Sequence, residues 1–447
     1  MSIFLAEAMR YHGFVVEKFL IRGGGPLNGR VRLAGAKNSI NKLLVAALLT
    51  EEPVTLENVP SNGETDIVIE LCRSIGSTIE RRGHTIRIST PEIKNPRVPE
   101  LSRKNRIPIL ALGPLLVRGG MAEVPALGGD YLGHRPVDFH IAALEKLGAS
   151  IEVTDSLYRA SADSGLHGGR VVLPYPSVGA TENTILAAVR AQGDTVISNA
   201  AVEPEIIDMM KMLQKMGAII ELGSDRTIHI EGVGELSGVT HRLIPDRIEA
   251  ASFATMALAT GGEVIVEEAL QEHLITFLNS VRRVGGEYEI LADGIRFFRT
   301  SALRPLHIET DTHPGFMTDW QQPFTVLLTQ APGESIVHET VYDDRFGYIE
   351  DLRRMGANVT LIPQCLGSIP CRFSGKLYNH TALVRGVTPL HAATMRMRDI
   401  RAGMAHIIAS LIAEGTSEIT GVDEIDRGYE RIDERIRALG ADMQRVR

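Results

Sequence analysis

The sequence predicts an α/β protein of two domains, each built from three copies of one repeat. The repeat is marked by a helix end of the form apolar-x-x-apolar-Gly, which recurs six times. The glycines are Gly76, Gly148, Gly217, Gly285, Gly356 and Gly440, at successive intervals of 72, 69, 68, 71 and 84 residues. Repeats of this length are too long and too varied for the common solenoids. A chain of 447 residues suffices for two or more domains, and an even division gives three repeats to each.

Each repeat is expected to run strand, helix, strand, helix, strand. The glycine suits the C′ position of a helix, which requires left-handed backbone geometry. An alternating segment follows it, as at 150–153 and 358–361, and alternation of this kind is typical of a strand. A more apolar helix comes first in each repeat, at 36–49, 107–116, 181–191, 247–259, 322–329 and 400–413. The apolar character of these helices indicates that they are packed inside, with the sheets outside.

The composition excludes several classes of protein. The chain is 44% hydrophobic and 23% charged, which is enough apolar sequence for sizeable cores. A net charge of -8 argues against a general nucleic-acid surface, so an anionic ligand must be met by a local cluster of Arg and Lys. No apolar run approaches the length of a membrane span. Residues 1–14 lack the pattern of a signal peptide, and we read the first dozen as a frayed extension.

The three cysteines, Cys72, Cys365 and Cys371, are too few for a disulfide scaffold and favour a reducing, cytoplasmic location. Cys365 and Cys371 are close enough in sequence to form a redox pair, although two incidental thiols are the simpler interpretation. No histidine or cysteine spacing resembles a metal-binding motif. The sequence therefore predicts no metal site, and no dinucleotide or P-loop fingerprint predicts a cofactor.

Polar residues concentrate at the start of the apolar helices and in the loop after the following strand. Helix N-termini expose free N–H groups and bind phosphates and carboxylates. A cation there, such as Lys37 or Arg401, is unfavourable unless an anion or an acid lies nearby, so these positions predict an anion site. Asp246 and Asp319 are acids at helix starts, where capping is the default expectation.

The segment 127–140 reads L-G-G-D-Y-L-G-H-R-P-V-D-F-H. Its glycines permit sharp turns, so Asp130 is carried on a loop rather than in a core. Arg135 precedes Pro136 and is held extended, because proline disfavours the α region for its predecessor. The loop suits a lid over an anion, and a solvated surface turn is the alternative.

Nine motifs, in order along nearly the whole chain, resemble those of the UDP-N-acetylglucosamine 1-carboxyvinyltransferase (enolpyruvyl transferase) family. They are L-A-G-A-K-N-S (33–39), A-L-G-P-L-L-V-R-G-G (111–120), G-G-D-Y-L-G-H-R-P-V-D (128–138), S-V-G-A-T-E-N (177–183), P-D-R-I-E (245–249), T-D-W-Q-Q-P (318–323), E-T-V-Y-D-D-R-F (339–346), R-D-I-R-A-G (398–403) and I-D-R-G-Y-E-R (425–431). Each motif alone is weak, whereas nine in the right order are specific. The resemblance implies two inside-out α/β domains, one of residues 1–36 plus 245–447 and one of 37–244 that carries the mobile loop 127–136.

The family transfers the enolpyruvyl group of phosphoenolpyruvate to the 3′-hydroxyl of UDP-N-acetylglucosamine. This is the committed step of peptidoglycan synthesis, and cell-wall growth, cell shape and division depend on it. The resemblance implies these two substrates as partners, a cytoplasmic enzyme, and neither nucleic acid nor membrane as a partner. Neither oligomeric state nor regulation follows from the sequence.

The resemblance also assigns residues to roles. Phosphoenolpyruvate would be held by Lys37, Arg106, Arg135, Arg401 and Arg427, with Arg345 nearby, as an excess of positive charge suited to a trianion. The UDP-sugar would be held by Asn38, Arg135, Pro136, Val137, Asp138, Phe139, Ser177, Val178, Gly179, Asp319 and Val341. Asp319 is the expected base at the hydroxyl, Asp130 the expected proton donor, and Asp399 lies near the reacting carbon, with a less defined role. Lys37 and Arg427 are expected to be catalytic as well.

The sequence departs from the family pattern in three places. Asp130 replaces the loop cysteine of most members, a known variant that implies resistance to fosfomycin, which alkylates that cysteine. Tyr175 stands where many members have a lysine beside the UDP site. The segment 363–388 is longer than usual and contains Cys365 and Cys371.

Two alternative functions stay open at this point. One is an enolpyruvyl transferase with another nucleotide acceptor, as in nucleoside-antibiotic pathways, for which Tyr175 leaves room. The other is a non-catalytic paralogue that binds a UDP-sugar. Shikimate 3-phosphate is disfavoured as the acceptor, because the glycine-rich arginine motif of that synthase is absent from 111–120.

Overall fold

A computed structural model describes residues 17–102, 106–126, 137–369, 371 and 373–447. Asp130, Arg135 and Pro136 belong to segment 127–136 and lie outside the described residues, as does the predicted N-terminal extension. In the described part, no helix is long and apolar enough to cross a membrane.

The described chain alternates between helices and short strands. The helices are Lys37–Ala46 (α1), Gly63–Ile75 (α2), Leu112–Gly119 (α3), Asp138–Lys146 (α4), Val178–Ala188 (α5), Pro204–Lys215 (α6), Arg247–Thr260 (α7), Ile275–Arg283 (α8), Thr318–Leu328 (α9), Ile349–Arg354 (α10), Ile400–Ile412 (α11), Val422–Asp426 (α12) and Ile432–Ala438 (α13). Short 3-10 segments cover Ala47–Leu49, Ile107–Ala111 and Gln271–His273.

The strands are Lys18–Arg22 (β1), Asn28–Arg32 (β2), Val54–Glu57 (β3), Thr78–Arg82 (β4), Thr85–Ser89 (β5), Met121–Pro125 (β6), Ser150–Val153 (β7), Leu157–Ser161 (β8), Arg170–Val172 (β9), Asp194–Ser198 (β10), Ile219–Leu222 (β11), Ile228–Glu231 (β12), Thr240–Arg242 (β13), Glu263–Glu267 (β14), Glu287–Leu291 (β15), Gly294–Phe298 (β16), His307–Glu309 (β17), Gly333–His338 (β18), Asn358–Ile362 (β19), Thr381–Gly386 (β20), Thr394–Arg396 (β21), Thr416–Thr420 (β22) and Asp442–Val446 (β23).

The six repeats form six small sheets, which confirms the predicted periodicity. In the described residues, five sheets have four strands and one has three. The sheet β17-β18-β20-β19 shows the pattern: β17 and β18 are parallel, and β20 runs antiparallel to both of its neighbours. The repeat therefore has one strand more than predicted, because its last segment is a β-hairpin in five repeats, as in β4–β5 and β19–β20.

The helices lie inside and the sheets outside, as predicted. Eleven residues of α9 and all but one residue of α7 are buried, and the two helices pack against each other and against α11. Helices α3 and α5 pack together in the same way in the other half of the chain. A helix that is apolar on all sides is stable only when it is surrounded by other elements.

The buried hydrophobic residues form two separate clusters. One contains residues between 19 and 33 and between 250 and 443, and the other contains residues between 40 and 243. We propose the domain boundaries at 36/37 and 244/245, and this division of the core supports them. The two connections lie side by side, since Ala36 N donates to Ile244 O over 2.8 Å and Asp246 N donates to Ala34 O over 3.0 Å.

The connecting strands are exchanged between the halves. Strand β2 precedes α1 but pairs in parallel with β14, whereas β13 precedes α7 and pairs in parallel with β3. Each half therefore completes one sheet with a strand that leads into the other half. This exchange places the first residues of α1 and α7 next to each other, where Lys37 meets Asp246.

The six helix-end glycines adopt the predicted geometry. Their φ angles are positive and run from 91° to 126°. In each case the glycine N–H donates to the carbonyl three residues earlier. The N–H of the following residue donates to the carbonyl five residues before it, as when Gly76 N donates to Arg73 O and Ser77 N donates to Cys72 O. This pair of bonds satisfies the last carbonyls of the helix and turns the chain into the next strand.

Candidate active site

A cavity of about 340 Å³ lies where the first residues of buried helices from both halves converge. Residues at or beside the starts of α1, α5, α7, α9 and α11 line it. Several helix N-termini directed at one cavity bring free N–H groups and positive dipole ends together. This arrangement favours an anionic ligand.

Most of the predicted site residues that are described line this cavity. They are Lys37, Asn38, Arg106, Val137, Phe139, Ser177, Val178, Gly179, Asp319, Val341, Arg401 and Arg427. Arg345 lies behind the wall in contact with Asp319. Asp138 is exposed at the first residue of α4 and is not part of the described lining.

Asp319 is held by two arginines. Arg345 Nη2 lies 2.6 Å from its Oδ1, and Arg401 donates from Nε to Oδ1 over 3.1 Å and from Nη2 to Oδ2 over 3.3 Å. Burial alone would raise the pKa of Asp319, but Arg401 and Arg345 outweigh burial and hold the pKa well below its ordinary value. The carboxylate is therefore ionised and paired at neutral pH.

The expectation that Asp319 caps its helix is wrong. The N-cap position of α9 is Met317, and no side chain caps it. Asp319 is the second residue of the helix, and its carboxylate turns away from the helix N–H groups towards the two guanidinium groups. The same expectation is confirmed for Asp246, which accepts from Ile248 N over 2.8 Å and from Glu249 N over 3.1 Å.

Lys37 is buried and paired with the cap of the neighbouring helix. Its Nζ lies 2.7 Å from Asp246 Oδ2 and 4.3 Å from the centre of the Tyr429 ring. Burial would lower the pKa of Lys37, but the attraction of Asp246 outweighs it and leaves the pKa raised. The lysine at the start of α1 is thus a fixed cation, and the acid needed near it comes from the protein itself.

Arg427 is held in a similar way. It donates from Nε to Glu64 Oε1 over 2.9 Å and from Nη1 to Glu424 Oε2 over 2.9 Å. Glu64 belongs to α2, in the half of the chain opposite to Arg427. This ion pair therefore joins the two walls of the cavity.

The predicted excess of positive charge is not found among the described lining residues. Six cations and six carboxylates line the cavity: Lys37, Lys42, Arg106, Arg247, Arg401 and Arg427 against Glu64, Glu182, Glu203, Glu205, Asp311 and Asp319. Four of these acids come from α2, α5 and the start of α6, and together with Asp311 and Asp319 they equal the cations in number. An anionic ligand must therefore compete with these carboxylates for the guanidinium and ammonium groups.

Sequence reasoning gave no role to one group of charges on the wall. Glu205 and Arg247 form a buried, two-bonded pair, with both N–O distances at 3.0 Å, that crosses between the halves. Glu182 lies in the middle of the apolar helix α5, and Lys42 Nζ is 3.7 Å from its Oε1. Burial, reinforced by Glu203 and Glu205, raises the pKa of Glu182 to about 7 despite Lys42. A charged residue inside an otherwise apolar helix is the signal that would have found it.

Three other predicted residues have structural contacts of their own. Asp399 is the N-cap of α11, where it accepts from Arg401 N over 2.9 Å and from Ala402 N over 3.1 Å, and it is not part of the described lining. Ser177 caps α5 through Ala180 N over 3.4 Å. Val341 N donates to Glu339 Oε1 over 2.9 Å, which fixes the turn after β18. Tyr175 lines the cavity as well.

Trp320 is packed in the core rather than directed at the cavity. It is buried in edge contact with Phe277 and Phe316, with ring centres 5.5 Å away in both cases. These rings support the first turn of α9 from behind.

The comparisons with known proteins agree with the fold and with the motifs. The family model described as EPSP synthase (3-phosphoshikimate 1-carboxyvinyltransferase) matches residues 21–436. The chain is 50% identical over 435 residues to the UDP-N-acetylglucosamine 1-carboxyvinyltransferase of Protochlamydia amoebophila, covering 95% of this chain and 94% of that protein. It is 49% identical to the protein of the same name from Chlamydia abortus, covering 94% of this chain and 96% of that one.

Solved structures show the same fold. The enolpyruvyl transferase NikO from Streptomyces tendae matches with a TM-score of 0.84 at 22% identity, covering 96% of this chain and 99% of that one. EPSP synthase from Acinetobacter baumannii matches with a TM-score of 0.73 at 17% identity, covering 96% of this chain and 100% of that one. A family model that matches most of the chain, together with relatives near 50% identity, shows that the chain belongs to the EPSP synthase family of 1-carboxyvinyltransferases, the enolpyruvyl transferases.

Proposed function

We propose that the protein transfers the enolpyruvyl group of phosphoenolpyruvate to the 3′-hydroxyl of UDP-N-acetylglucosamine and releases phosphate. The observation that carries this proposal is the identity of about half of all residues to relatives named for this reaction, over nearly the full length of both chains. The reaction is the first committed step of peptidoglycan synthesis. We also propose a cytoplasmic location, which the three unpaired cysteines support.

The chemistry requires two proton transfers and binding of two anionic substrates. The sugar oxygen adds to C2 of phosphoenolpyruvate while C3 gains a proton, and phosphate then leaves as C3 loses a proton. A base at the hydroxyl and an acid at C3 each contribute roughly 10²–10⁴-fold to such reactions. We assign the acid to Asp130 and the base to Asp319.

Asp319 must be released from part of its ion pairing to act as a base. Arg345 is buried behind the wall, whereas Arg401 also lines the cavity. A phosphate or carboxylate that binds Arg401 would weaken the Arg401–Asp319 pair and raise the pKa of the acid. Binding of phosphoenolpyruvate would in this way prepare the base for the second substrate.

The remaining contacts divide between the two substrates. Lys37, Arg106, Arg135, Arg401 and Arg427 would bind the phosphate and carboxylate of phosphoenolpyruvate. Lys37 and Arg427 would also stabilise the charge that develops in the transition state.

The UDP-sugar would contact the opposite part of the wall. Its contacts would come from Asn38, the 135–139 segment, the start of α5 at 177–179, Asp319 and Val341. The N-terminus of α5 presents free N–H groups suited to a diphosphate. Asp138 would have to act through its backbone, since its side chain is exposed and Val137 and Phe139 line the cavity. Asp399 would act by fixing the start of α11 next to Arg401.

Phosphate release is the measurement that tests this proposal. The full chain is incubated with phosphoenolpyruvate and UDP-N-acetylglucosamine, with UMP as the alternative acceptor, and each substrate is omitted in turn. We expect phosphate only when phosphoenolpyruvate and UDP-N-acetylglucosamine are both present. Release with UMP instead would favour a different nucleotide acceptor, which Tyr175 in the cavity wall makes worth testing. No release with either acceptor would contradict the proposal and favour a UDP-sugar-binding paralogue.

A further inference from the structure

A second group of reactive side chains lies away from the cavity, beside the end of β18. His338 is the last residue of β18, and Cys365 and Cys371 lie in the segment between β19 and β20. The three side chains bring one imidazole nitrogen and two sulfurs within 4.8 Å of one another. None of the three belongs to the described lining of the cavity.

His338 has polar atoms that the described protein leaves without hydrogen bonds. The side chain is completely buried, and neither Nδ1 nor Nε2 has a hydrogen-bond partner among the described residues. Its nearest charged neighbour is Glu309, whose Oε2 lies 3.7 Å from Nδ1. Burying a polar group without a hydrogen-bond partner is unfavourable, so a ligand that engages the ring accounts for its position.

The segment is built to approach His338 closely. A Cβ at Gly367 would overlap both His338 Nδ1 and Glu309 Oε2, so only glycine allows the chain to pass there. Glu309 then holds the segment, because it accepts from Ser368 Oγ over 3.1 Å and from Ile369 N over 2.8 Å. These contacts lie between the two cysteines in sequence and bring both thiols to the imidazole.

The set of donors identifies the class of ligand. Two thiols and an imidazole within a few ångströms are typical of zinc, which binds thiolate sulfur and imidazole nitrogen in tetrahedral sites. A disulfide between the two cysteines would leave the ring of His338 without a partner, whereas a metal ion engages all three groups. We propose that His338, Cys365 and Cys371 bind a structural Zn²⁺ ion.

The surrounding residues suit such an ion. Glu309 faces Nδ1 of His338, so it would orient the ring and leave Nε2 for the metal, as carboxylates beside zinc-bound histidines do. His380 is a further candidate ligand, since its Nδ1 lies 4.0 Å from Cys371 Sγ. The ion would fasten the long segment to the outer side of β18.

His338 precedes Glu339, so a metal bound to His338 would also affect the residues that Glu339 contacts. Glu339 follows His338 and accepts from Thr310 Oγ1, Thr318 Oγ1 and Val341 N, each over 2.9 Å. A metal that fixes the end of β18 would thus support the turn at Val341 and the first residue of α9 from behind. Loss of the metal should lower thermal stability.

Metal content and cobalt spectroscopy test the proposal. The full chain is purified under reducing conditions without a metal-affinity tag, and its zinc is measured by mass spectrometry. We expect about one zinc ion per chain in the wild type and in Cys72→Ala, whose cysteine is buried in the other half, and loss of the metal in Cys365→Ser. After zinc is removed, addition of Co²⁺ should produce a thiolate-to-cobalt absorption band in the first two proteins and not in the third.

Two results would overturn the proposal without reliance on the folding of a variant. One is a reduced wild-type chain that contains no zinc and shows no thiolate band when Co²⁺ is added. The other is a Cys365–Cys371 disulfide found by mass spectrometry in the protein prepared under reducing conditions. Circular dichroism of Cys365→Ser separates loss of the metal from loss of the fold, and retention of zinc in the folded variant would also count against the site.

Discussion

Asp319 combines full ionisation with two arginine partners, and this combination leads to a test at the level of one residue. Asp319→Asn keeps the shape of the side chain but removes the negative charge that would accept the proton. We expect turnover to fall by roughly 10²-fold or more, in line with the contribution of a general base. The measurement is kcat from phosphate release, with circular dichroism to show that the variant folds.

Asp399→Asn is the matched control for Asp319→Asn. Asparagine caps helices about as well as aspartate, so the start of α11 should be retained. If both variants keep most of their turnover, neither carboxylate is the base, and the assignment of Asp319 fails. If Asp399→Asn alone loses turnover, the charge of Asp399 contributes directly to the chemistry.

Glu182 predicts a pH dependence of stability. Its pKa is raised from the ordinary value of 4.5 to about 7 in the folded protein. Between these two pH values the folded state keeps a proton that the unfolded state has lost. Stability therefore falls as the pH rises through this window and then stays constant above it. Glu182→Gln has no carboxyl group at this position and does not lose this stability. The Tm of the variant minus the Tm of the wild type should therefore be larger at about pH 8 than at about pH 5.

Glu205 has a pKa shift in the direction opposite to that of Glu182, so Glu205→Gln should have a different effect on stability. The pKa of Glu205 is lowered, because Arg247 outweighs the effect of burial, so removing the charge should destabilise the protein. Thermal unfolding of both variants at the two pH values checks the prediction. An equal Tm difference for Glu182→Gln at both pH values would show that Glu182 is ionised in the folded protein.

Asp130 predicts the response to fosfomycin. A carboxylate is a weak nucleophile, and no cysteine is available in its place: Cys72 is buried with a pKa raised to about 12, and neither Cys365 nor Cys371 belongs to the described lining. The wild type should stay active in fosfomycin, Asp130→Cys should be active and sensitive, and Asp130→Asn should lose most activity. Turnover and intact mass measured with the compound check all three, and a covalent adduct on the wild type would refute the assignment.

At the level of elements, the helix-end glycines allow a test of backbone geometry. Gly217 has a φ of 106°, and a Cβ there would meet nothing within 4 Å, so Gly217→Ala changes strain without creating a clash. We expect a loss of about 1–2 kcal/mol in the free energy of unfolding, the usual cost of left-handed geometry for an L-residue. Denaturant unfolding gives this value.

Gly119 supplies the comparison for Gly217. It is the last residue of α3, has no φ in the left-handed region and also has open space around it. Gly119→Ala should therefore stabilise the protein, by roughly 0.5–1 kcal/mol. Equal effects of the two substitutions would show that backbone geometry does not explain the six helix-end glycines.

The sequence predicted those elements that are determined by residues close to one another in the chain. The helix-end glycines and the six apolar helices depend on residues a few positions apart, and both were found. The fourth strand of the repeat was missed, because in hairpins such as β4–β5 only residues 83 and 84 separate the strands, and the pair reads as one alternating segment. The family resemblance gave only the crossings at 36/37 and 244/245. The exchange of β2 and β13 was not predicted, since β2 pairs with residues more than two hundred positions away.

The residues of the site could likewise be predicted only where the signal is local in the sequence. The helix starts predicted Lys37 and Arg401 as part of an anion site, because a cation at a helix N-terminus is a local signal, and both residues line the cavity. Which acid faces which cation depends on the tertiary fold, so the pairs of Arg427 with Glu64 and of Arg247 with Glu205 could not be read from the sequence. The cluster of His338 with Cys365 and Cys371 was not predicted, because the spacing of these residues in the sequence matches no metal-binding motif.

At the level of the whole molecule, the cavity is shared between the two halves. The pairs Glu205–Arg247 and Glu64–Arg427 join the halves across it, and a UDP-sugar would add contacts on both sides. We expect UDP-N-acetylglucosamine to make the protein more compact. Small-angle scattering should show a smaller radius of gyration with this ligand than with an equal concentration of shikimate 3-phosphate, and an unchanged radius would argue against closure.

Strand β1 lies between β22 and β23, and its Lys18 contacts Glu418, 400 positions later in the chain. During synthesis on the ribosome, β1 therefore emerges long before either of its neighbours exists. The repeats between 37 and 244 can acquire their core while the chain is still growing, because both ends of that stretch have already been made. The last sheet closes only after β22 and β23 have left the exit tunnel, so a chain whose translation stops before them retains β1 as an unpaired strand that chaperones or proteases can recognise.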